Sequence, residues 1–362
     1  MTCQVSPENY HQQLDEKVSC VRALLALLPM QAVTVAASAT EHYRMRAEFR
    51  VWHQAGDWHY AMFDVQNKRP VFIEYCPMVD KRIADLMQPL RAQLKANTVL
   101  SNRLYAIDFL ASSQGEILVT LIYKEPLTAD WETLARSLDL PDGVMLMGRS
   151  RGKKRVLVRD YVNETLSLPN GDSFTLRHVE NAFSQPNAAV NAQMLAWVDT
   201  QLGVQTRYPA ILELYGGAGN FTWVLARHTD MLLMTELSPH AVSAAQNAFA
   251  QASIHHVTIA AMNSEQVSQQ LSLSGEGTHL LWHAQVYDFK LVMVDPPRAG
   301  LDDTTRALVQ RFDSILYVSC NPQTLARDIL AWQDSHHIAS VAVFDQFPYT
   351  HHIEVGVMLV KK

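Results

Sequence analysis

Glu213-Leu214-Tyr215-Gly216-Gly217-Ala218-Gly219-Asn220-Phe221 is the stretch on which the fold turns. An apolar run over residues 210–215 enters it as a strand, and residues 221–228 leave it as a helix. A glycine turn between strand and helix lets backbone approach a ligand closely. Glu236 ends the next strand, 19 positions after Gly217, where a carboxylate accepts hydrogen bonds from ribose hydroxyls. The combination marks a nucleoside-containing ligand. The third glycine of a G-x-G-x-x-G fingerprint, counted from Gly217, is replaced by Thr222, which weakens a dinucleotide reading.

Outward from this turn, residues 187–362 alternate between helix and strand. Helices are expected over 188–202, 221–228, 239–251 and 324–334, and strands over 210–215, 231–236, 257–261, 289–294 and 315–319. A closing strand pair follows over 341–347 and 355–360. This alternation predicts an α/β fold with a mostly parallel, doubly wound, Rossmann-like sheet whose ligands lie beyond the carboxyl ends of the strands. Upstream, the pattern predicts a helix over 8–28 stopped by Pro29, strands over 43–51, 58–64 and 70–76, and a helix over 79–96. A hairpin of 104–111 and 116–123, a helix over 129–138 and a strand over 144–148 complete it. We therefore expect an α+β domain at residues 1–180, including the first helix, and a catalytic domain at residues 181–362.

With 362 residues, 48% of them apolar, the chain has enough material for two packed cores. Its most apolar early stretch, residues 21–37, is interrupted by Arg22, Pro29 and Gln31, so neither a signal peptide nor a membrane span is expected. Cys3, Cys20, Cys76 and Cys320 show no C-x-x-C spacing. That spacing argues against a zinc ribbon or an iron–sulfur cluster and predicts reduced thiols in a cytoplasmic protein.

A net charge of −6 taken alone disfavours a nucleic-acid partner, but the deficit is uneven. Residues 1–180 hold 21 basic and 21 acidic side chains, leaving 9 and 15 in residues 181–362. Alternation over residues 43–51 sets Arg44, Arg46, Glu48 and Arg50 on one face and Tyr43, Met45, Phe49 and Val51 on the other. The densest positive run, Arg149-Ser150-Arg151-Gly152-Lys153-Lys154-Arg155, reads as a loop. Both stretches suit RNA phosphates, although a solvated hairpin tip explains the loop charges equally well.

Two further segments carry chemistry. Cys320 stands in Tyr317-Val318-Ser319-Cys320-Asn321-Pro322 at the end of an apolar strand, and Glu354 follows 34 positions later. A thiol and a distant carboxylate suit a reaction in which a nucleophile adds and a base later removes a proton. Asp295-Pro296-Pro297-Arg298 ends the preceding strand, and its two prolines stiffen a loop that can hold Asp295 and Arg298 beside a planar substrate. His351 and His352 are adjacent and point apart on an extended chain, with no third ligand spaced for zinc, so no metal is expected.

The segments 317–322, 295–302 (Asp295-Pro296-Pro297-Arg298-Ala299-Gly300-Leu301-Asp302) and 344–354 (Phe344-Asp345-Gln346-Phe347-Pro348-Tyr349-Thr350-His351-His352-Ile353-Glu354) closely resemble the RNA uracil-C5 methyltransferases. The likeness is closest to the bacterial enzymes that make the T-loop ribothymidine of tRNA. It extends to residues 42–50 and 181–187, nearly the full length.

The resemblance implies S-adenosylmethionine as methyl donor, with Gln185, Tyr215, Gly217, Asn220, Glu236 and Asp295 at donor-contacting positions. It makes Cys320 the nucleophile at uracil C6, Glu354 the base at C5 and Arg298 a donor that steadies the pyrimidine. It places RNA contacts at Arg44, Arg46, Arg50, Arg149 and Arg151, and Tyr105 where a ring can stack on a loop base. The implied partner is the tRNA T-arm, with tmRNA as a further substrate, acted on by a monomer. The tRNA enzymes usually carry Cys and Asn where this chain has Gly216 and Ala218. Ribosomal-RNA relatives typically add an iron–sulfur site and a further N-terminal barrel, neither visible here.

Three rivals stand beside this reading: the same chemistry on ribosomal RNA, an adenine or glutamine N-methyltransferase that uses only Asp295-Pro296-Pro297, and a non-catalytic RNA-binding or folding factor. The second needs no thiol. The third needs neither Cys320 nor Glu354.

Overall fold

The computed structural model describes residues 3–26, 32–64, 67–168, 171–203, 207–273 and 277–362. The expected helix end at residue 28 and its Pro29 stop lie outside them. Contacts divide the chain into two units, one of residues 1–10, 39–165 and 177–188, the other of residues 11–38, 166–176 and 189–362. The division departs from the expected boundary at residue 180. Helix α1 (Tyr10–Leu24) falls almost wholly in the second unit, as does β1 (Val33–Ala36), which pairs in parallel with a strand some 300 residues later, Val33 opposite Val341.

In the first unit, β2 (Arg46–Gln54), β3 (Asp57–Asp64), β4 (Arg69–Phe72), β5 (Leu104–Ala111), β6 (Ile117–Tyr123), β7 (Val144–Ser150) and β8 (Lys153–Val156) form one sheet. Its order is β4-β3-β2-β5-β6-β7-β8, and only β6 and β7 run parallel. Strict alternation in β2 buries Ala47, Phe49 and Val51 and exposes Glu48, Arg50 and Trp52. Phe49 meets Tyr60 and Phe109 edge-on, at ring separations of 5.7 and 6.1 Å. Helix α2 (Lys81–Ala96) buries Ile83, Met87, Leu90 and Leu94 along one face, and the Tyr60 hydroxyl donates to the Met87 carbonyl (2.9 Å). Two short helices, α3 (Thr98–Ser101) and α4 (Trp131–Arg136), complete the unit.

Three expectations change here. Arg44 precedes β2 and is half-buried, so the alternating face begins at Arg46. The positive run 149–155 is a two-stranded turn, because Arg151 and Gly152 both take positive φ (30° and 77°) and connect β7 directly to β8. Cys3 and Cys76 are joined in a disulfide with Cα atoms 5.1 Å apart, where reduced thiols were expected. Spacing could not reveal it, since 73 positions separate the two.

Strands β9 (Tyr161–Ser167) and β10 (Ser173–Val179) pair as a separate ribbon, and the chain then enters α5 (Ala188–Gly203). The second unit adds β11 (Tyr208–Leu214), α6 (Thr222–Arg227), β12 (Thr229–Glu236), α7 (Pro239–Gln251), β13 (Val257–Ala261), α8 (Ser264–Leu273), β14 (His279–Trp282) and β15 (Gln285–Val294). It closes with α9 (Asp303–Val309), β16 (Ser314–Ser319), α10 (Pro322–Leu330), β17 (His336–Phe344) and β18 (Glu354–Lys361). The sheet order is β1-β17-β18-β16-β15-β11-β12-β13, with β14 paired to β15. Only β18 and the β14 hairpin run antiparallel.

The central strands β11, β15 and β16 are apolar and buried on both faces near their carboxyl ends, as a helix-covered parallel sheet demands. Chain order reverses between β11 and β15, the switch point beyond whose carboxyl ends such sheets take their ligands. Glu213, Glu236 and Asp295 stand at or next to such strand ends, and Glu354 starts β18.

Candidate active site

The glycine turn leaves β11 through Tyr215, which adopts φ of +61°, followed by Gly217 (+58°) and Gly219 (+94°). A Cβ at Gly217 would have no heavy atom within 4 Å, so the turn stands beside open space. A Cβ at Gly216 would come within 2.5 Å of Met234 Cγ, so the turn packs closely on that side chain. The Glu236 carboxylate accepts from the backbone nitrogens of Gly217 (3.1 Å), Leu237 (2.7 Å) and Ser238 (2.7 Å). These bonds aim it at the turn and leave it lone pairs for ligand hydroxyls. Tyr215 donates its hydroxyl to Ser264 Oγ (3.0 Å), and Asn220 exchanges two 2.9 Å amide bonds with Asn191 of α5.

Cys320 follows β16 directly. The antiparallel register that sets Ser319 opposite Val355 brings Cys320 to the same end of the sheet as Glu354, the first residue of β18. Asn321 caps α10 by accepting from Gln323 N (3.1 Å), while its Nδ2 donates to the Arg298 carbonyl (2.9 Å). The thiol-bearing turn is thereby tied to the Asp295-Pro296-Pro297-Arg298 loop. Arg298 in turn donates through Nη2 to His352 Nδ1 (2.5 Å), which ties that loop to the segment before Glu354.

Burial shifts the titratable groups that the register and these hydrogen bonds bring to one end of the sheet. Burial pushes the Glu354 carboxyl up to about 8, with Asp295 adding to the shift and the Arg298 guanidinium opposing it. Burial lifts Asp295 to about 7. The Cys320 thiol is pushed up to about 11, first by burial and then by Glu354 and Asp295, again opposed by Arg298. Several titratable groups displaced this far at the carboxyl end of a parallel sheet are the physical mark of a reactive site.

Sequence reasoning missed Glu213. It is almost fully buried under the turn, accepts from Thr222 Oγ1 (2.6 Å), and is pushed up to about 8 by burial, with Asp295 adding to the effect. Its signal was a lone carboxylate inside an apolar strand. The supporting contacts of His352, Asn191 and Ser264 carried no comparable mark.

Two buried carboxylates hold the framework. Asp328 of α10 accepts from Tyr317 Oη (2.8 Å) and Leu301 N (3.0 Å) and pairs with Arg306 (3.3 Å) and Arg327 (2.7 Å), clamping the end of the proline loop against β16. Lys17 of α1 pairs with Asp345 (2.7 Å) and also donates to the Phe347 carbonyl (3.0 Å). Gln13 Oε1 accepts from Tyr349 N (2.7 Å), so α1 anchors the whole approach to Glu354.

The remaining candidates lie in the first unit. Gln185 is buried, with its Oε1 lacking a hydrogen-bond partner. Arg46 is held by Asp108 (3.0 Å) and the Ala182 carbonyl (2.5 Å), and Arg149 by Glu180 (2.9 Å), so internal carboxylates occupy both. The Arg44 guanidinium is pushed below its ordinary value, chiefly by burial. Arg50 and Arg151 remain exposed. The guanidinium of Arg50 lies 4.2 Å from the centre of the Tyr105 ring, with Lys124 Nζ at 4.9 Å from the same centre. Among the described residues no cluster of three or more His, Cys, Asp or Glu is arranged to hold a metal, and no helix is long and apolar enough to cross a membrane.

Comparison with known proteins assigns the chain to a family. The chain is 44% identical over 358 residues to the tRNA/tmRNA (uracil-C(5))-methyltransferase of Azoarcus sp. (strain BH72), covering 98% of this chain and 97% of that protein. It is 43% identical over 361 residues to the protein of the same name from Acinetobacter baumannii (strain ACICU), covering 98% and 99%. In three dimensions it resembles the Pyrococcus abyssi tRNA (uracil-54, C5)-methyltransferase solved in complex with S-adenosyl-L-homocysteine. That match has a TM-score of 0.74 at 22% identity and covers 97% of this chain and 84% of the other. A sequence profile of the tRNA (Uracil-5-)-methyltransferases matches residues 9–362, and the chain belongs to that family.

Proposed function

We propose that the protein transfers a methyl group from S-adenosylmethionine to C5 of a T-loop uridine in tRNA, through a covalent adduct of Cys320 with uracil C6. The observation that carries this reading is the register that brings Cys320 and Glu354 to one end of the sheet, with Asn321 bonded to the Arg298 carbonyl and Arg298 to His352. Such a cluster supplies a nucleophile, a base and a cationic donor for one planar substrate.

The donor fits the residues present: Glu236 presents a carboxylate toward the turn, and Gly217 borders open space. Tyr215, Gly217, Asn220, Glu236 and Asp295 would hold it. When bound, it supplies a methyl group on a sulfonium that a carbon nucleophile can displace. Uracil C5 is too weak a nucleophile alone. Addition of the Cys320 thiolate to C6 moves the ring electrons toward C5 and O4, where Arg298 can steady the developing charge. After C5 has taken the methyl group, Glu354 removes the C5 proton. The C5–H electron pair reforms the C5–C6 double bond and expels Cys320 as thiolate.

A carboxyl pushed up to about 8 is poised for this work, because its affinity for a proton lies near the working pH. A cation bound beside Glu354 and Asp295 favours their ionised forms. Arg50 and Arg151 are the exposed candidates for RNA contact, and Tyr105 is half-buried beside Arg50. Arg44, Arg46 and Arg149 would have to exchange present surroundings for phosphates. Drawing a base out of the T-loop costs roughly a few kcal/mol, which phosphate and stacking contacts must offset.

The test is incubation of unmodified tRNA and ribosomal RNA with a methyl-labelled donor, followed by mapping of the labelled nucleotide. The account expects a single T-loop uridine. Label confined to ribosomal RNA, or absent from uridine, would overturn it. The names of the relatives make tmRNA a second substrate to include in the same assay.

A further inference from the structure

The outward face of β2, β3 and β4 carries a row of rings that the chemistry at Cys320 does not use. Trp52 on β2 stands directly opposite His59 on β3, and the His59 ring stacks on Phe72 of β4 at 4.7 Å with planes 17° apart. Phe63 shares this face two positions beyond Ala61, which is opposite Phe72. Trp52, Phe63 and Phe72 are 44%, 56% and 42% exposed, whereas the opposite face of β3 buries Trp58 and Tyr60. Burying such large rings is the usual solution, so a strip of them left outside calls for an occupant.

The charge around the strip names the occupant's chemistry. Arg50 lies on the same face two positions from Trp52, with its guanidinium over Tyr105 and Lys124 against the same ring. Lys68 is exposed just before β4. Rings spread across adjacent strands about 4.8 Å apart and flanked by cations match the way single-stranded nucleic acid is held, with bases on rings and phosphates on cations. An apolar protein partner would not need the cations.

We propose that this β2–β4 face is a stacking platform for unpaired RNA bases, with Trp52 and Phe72 its main rings and Arg50 its phosphate anchor. It rests on the reading of tRNA as substrate and deepens it by assigning a second, non-reacting contact.

The experiment compares wild type with Trp52→Ala, Phe72→Ala and the conservative Trp52→Phe. Steady-state methylation of full-length tRNA, donor binding by calorimetry, and sedimentation velocity are measured for each. Loss of one stacked base weakens binding by roughly 10-fold. KM for tRNA is expected to rise by about that factor in both alanine variants, with kcat and donor affinity unchanged and Trp52→Phe close to wild type. Unchanged KM in both alanine variants would overturn the platform while leaving the methylation reading intact. So would a change of sedimenting species, which would make the face a protein interface. Failure of the wild-type protein to methylate tRNA would instead sink the reading on which the platform rests.

Discussion

A thiol pushed from 9.0 to about 11 makes the ligand-free protein a poor nucleophile near neutrality. Each unit is tenfold in ionisation, so at pH 7 the thiolate fraction drops from about 1% to about 0.01%. Alkylation by iodoacetamide follows the thiolate, and peptide mapping by mass spectrometry reads Cys320 separately from Cys20, which is exposed on α1. The Cys320 rate should still be climbing above pH 10. Glu354→Gln removes a charge that disfavours the thiolate once the carboxyl ionises near pH 8, so the Cys320 profile should move to lower pH. Arg298→Ala removes the opposing charge and should move it higher. A Cys320 rate that levels off by pH 8.5, or a profile indifferent to both substitutions, would refute the shared electrostatic neighbourhood on which the site rests.

Further outcomes test other parts of the structure. Lys17→Met leaves Asp345, which has no solvent exposure, as an uncompensated buried charge and should cost about 3–5 kcal/mol in urea unfolding. The double variant Lys17→Met/Asp345→Leu should recover most of that, and equal losses in both would contradict the pairing. Glu213, Asp295 and Glu354 hold protons more tightly folded than unfolded, so their contribution to stability is full below about pH 4 and is lost as pH rises through 7 to 8. The melting temperature of ligand-free protein should therefore fall across that window, less steeply in Glu213→Gln, and an unaltered slope would remove Glu213 from the set. Gly216→Cys should destabilise by about 1–3 kcal/mol through its clash with Met234, and adding Met234→Val should recover part of the loss.

Much of the catalytic unit was legible because its signals are local. A glycine turn after an apolar strand, a carboxylate at the next strand end and two prolines after a third each declare themselves in a few residues. The predicted bounds of α7 and β13 coincide with those observed, and β11 and β12 differ only at their ends. What was not legible depends on distant partners. No periodicity says that β1 completes a sheet beside β17, or that Lys17 pairs with a carboxylate 328 positions away. The disulfide between Cys3 and Cys76 is of the same kind. Alternation correctly exposed Arg50, but it could not reveal that Asp108 and Glu180 already hold Arg46 and Arg149.

The central claim is that Cys320 bonds to the uracil ring and that Glu354 is needed to release it. Glu354→Gln protein incubated with tRNA and S-adenosylmethionine should accumulate a protein–RNA species that survives denaturing electrophoresis and maps to Cys320. The species should be absent when Cys320→Ala is added. No trapped species together with unimpaired methylation would contradict the account.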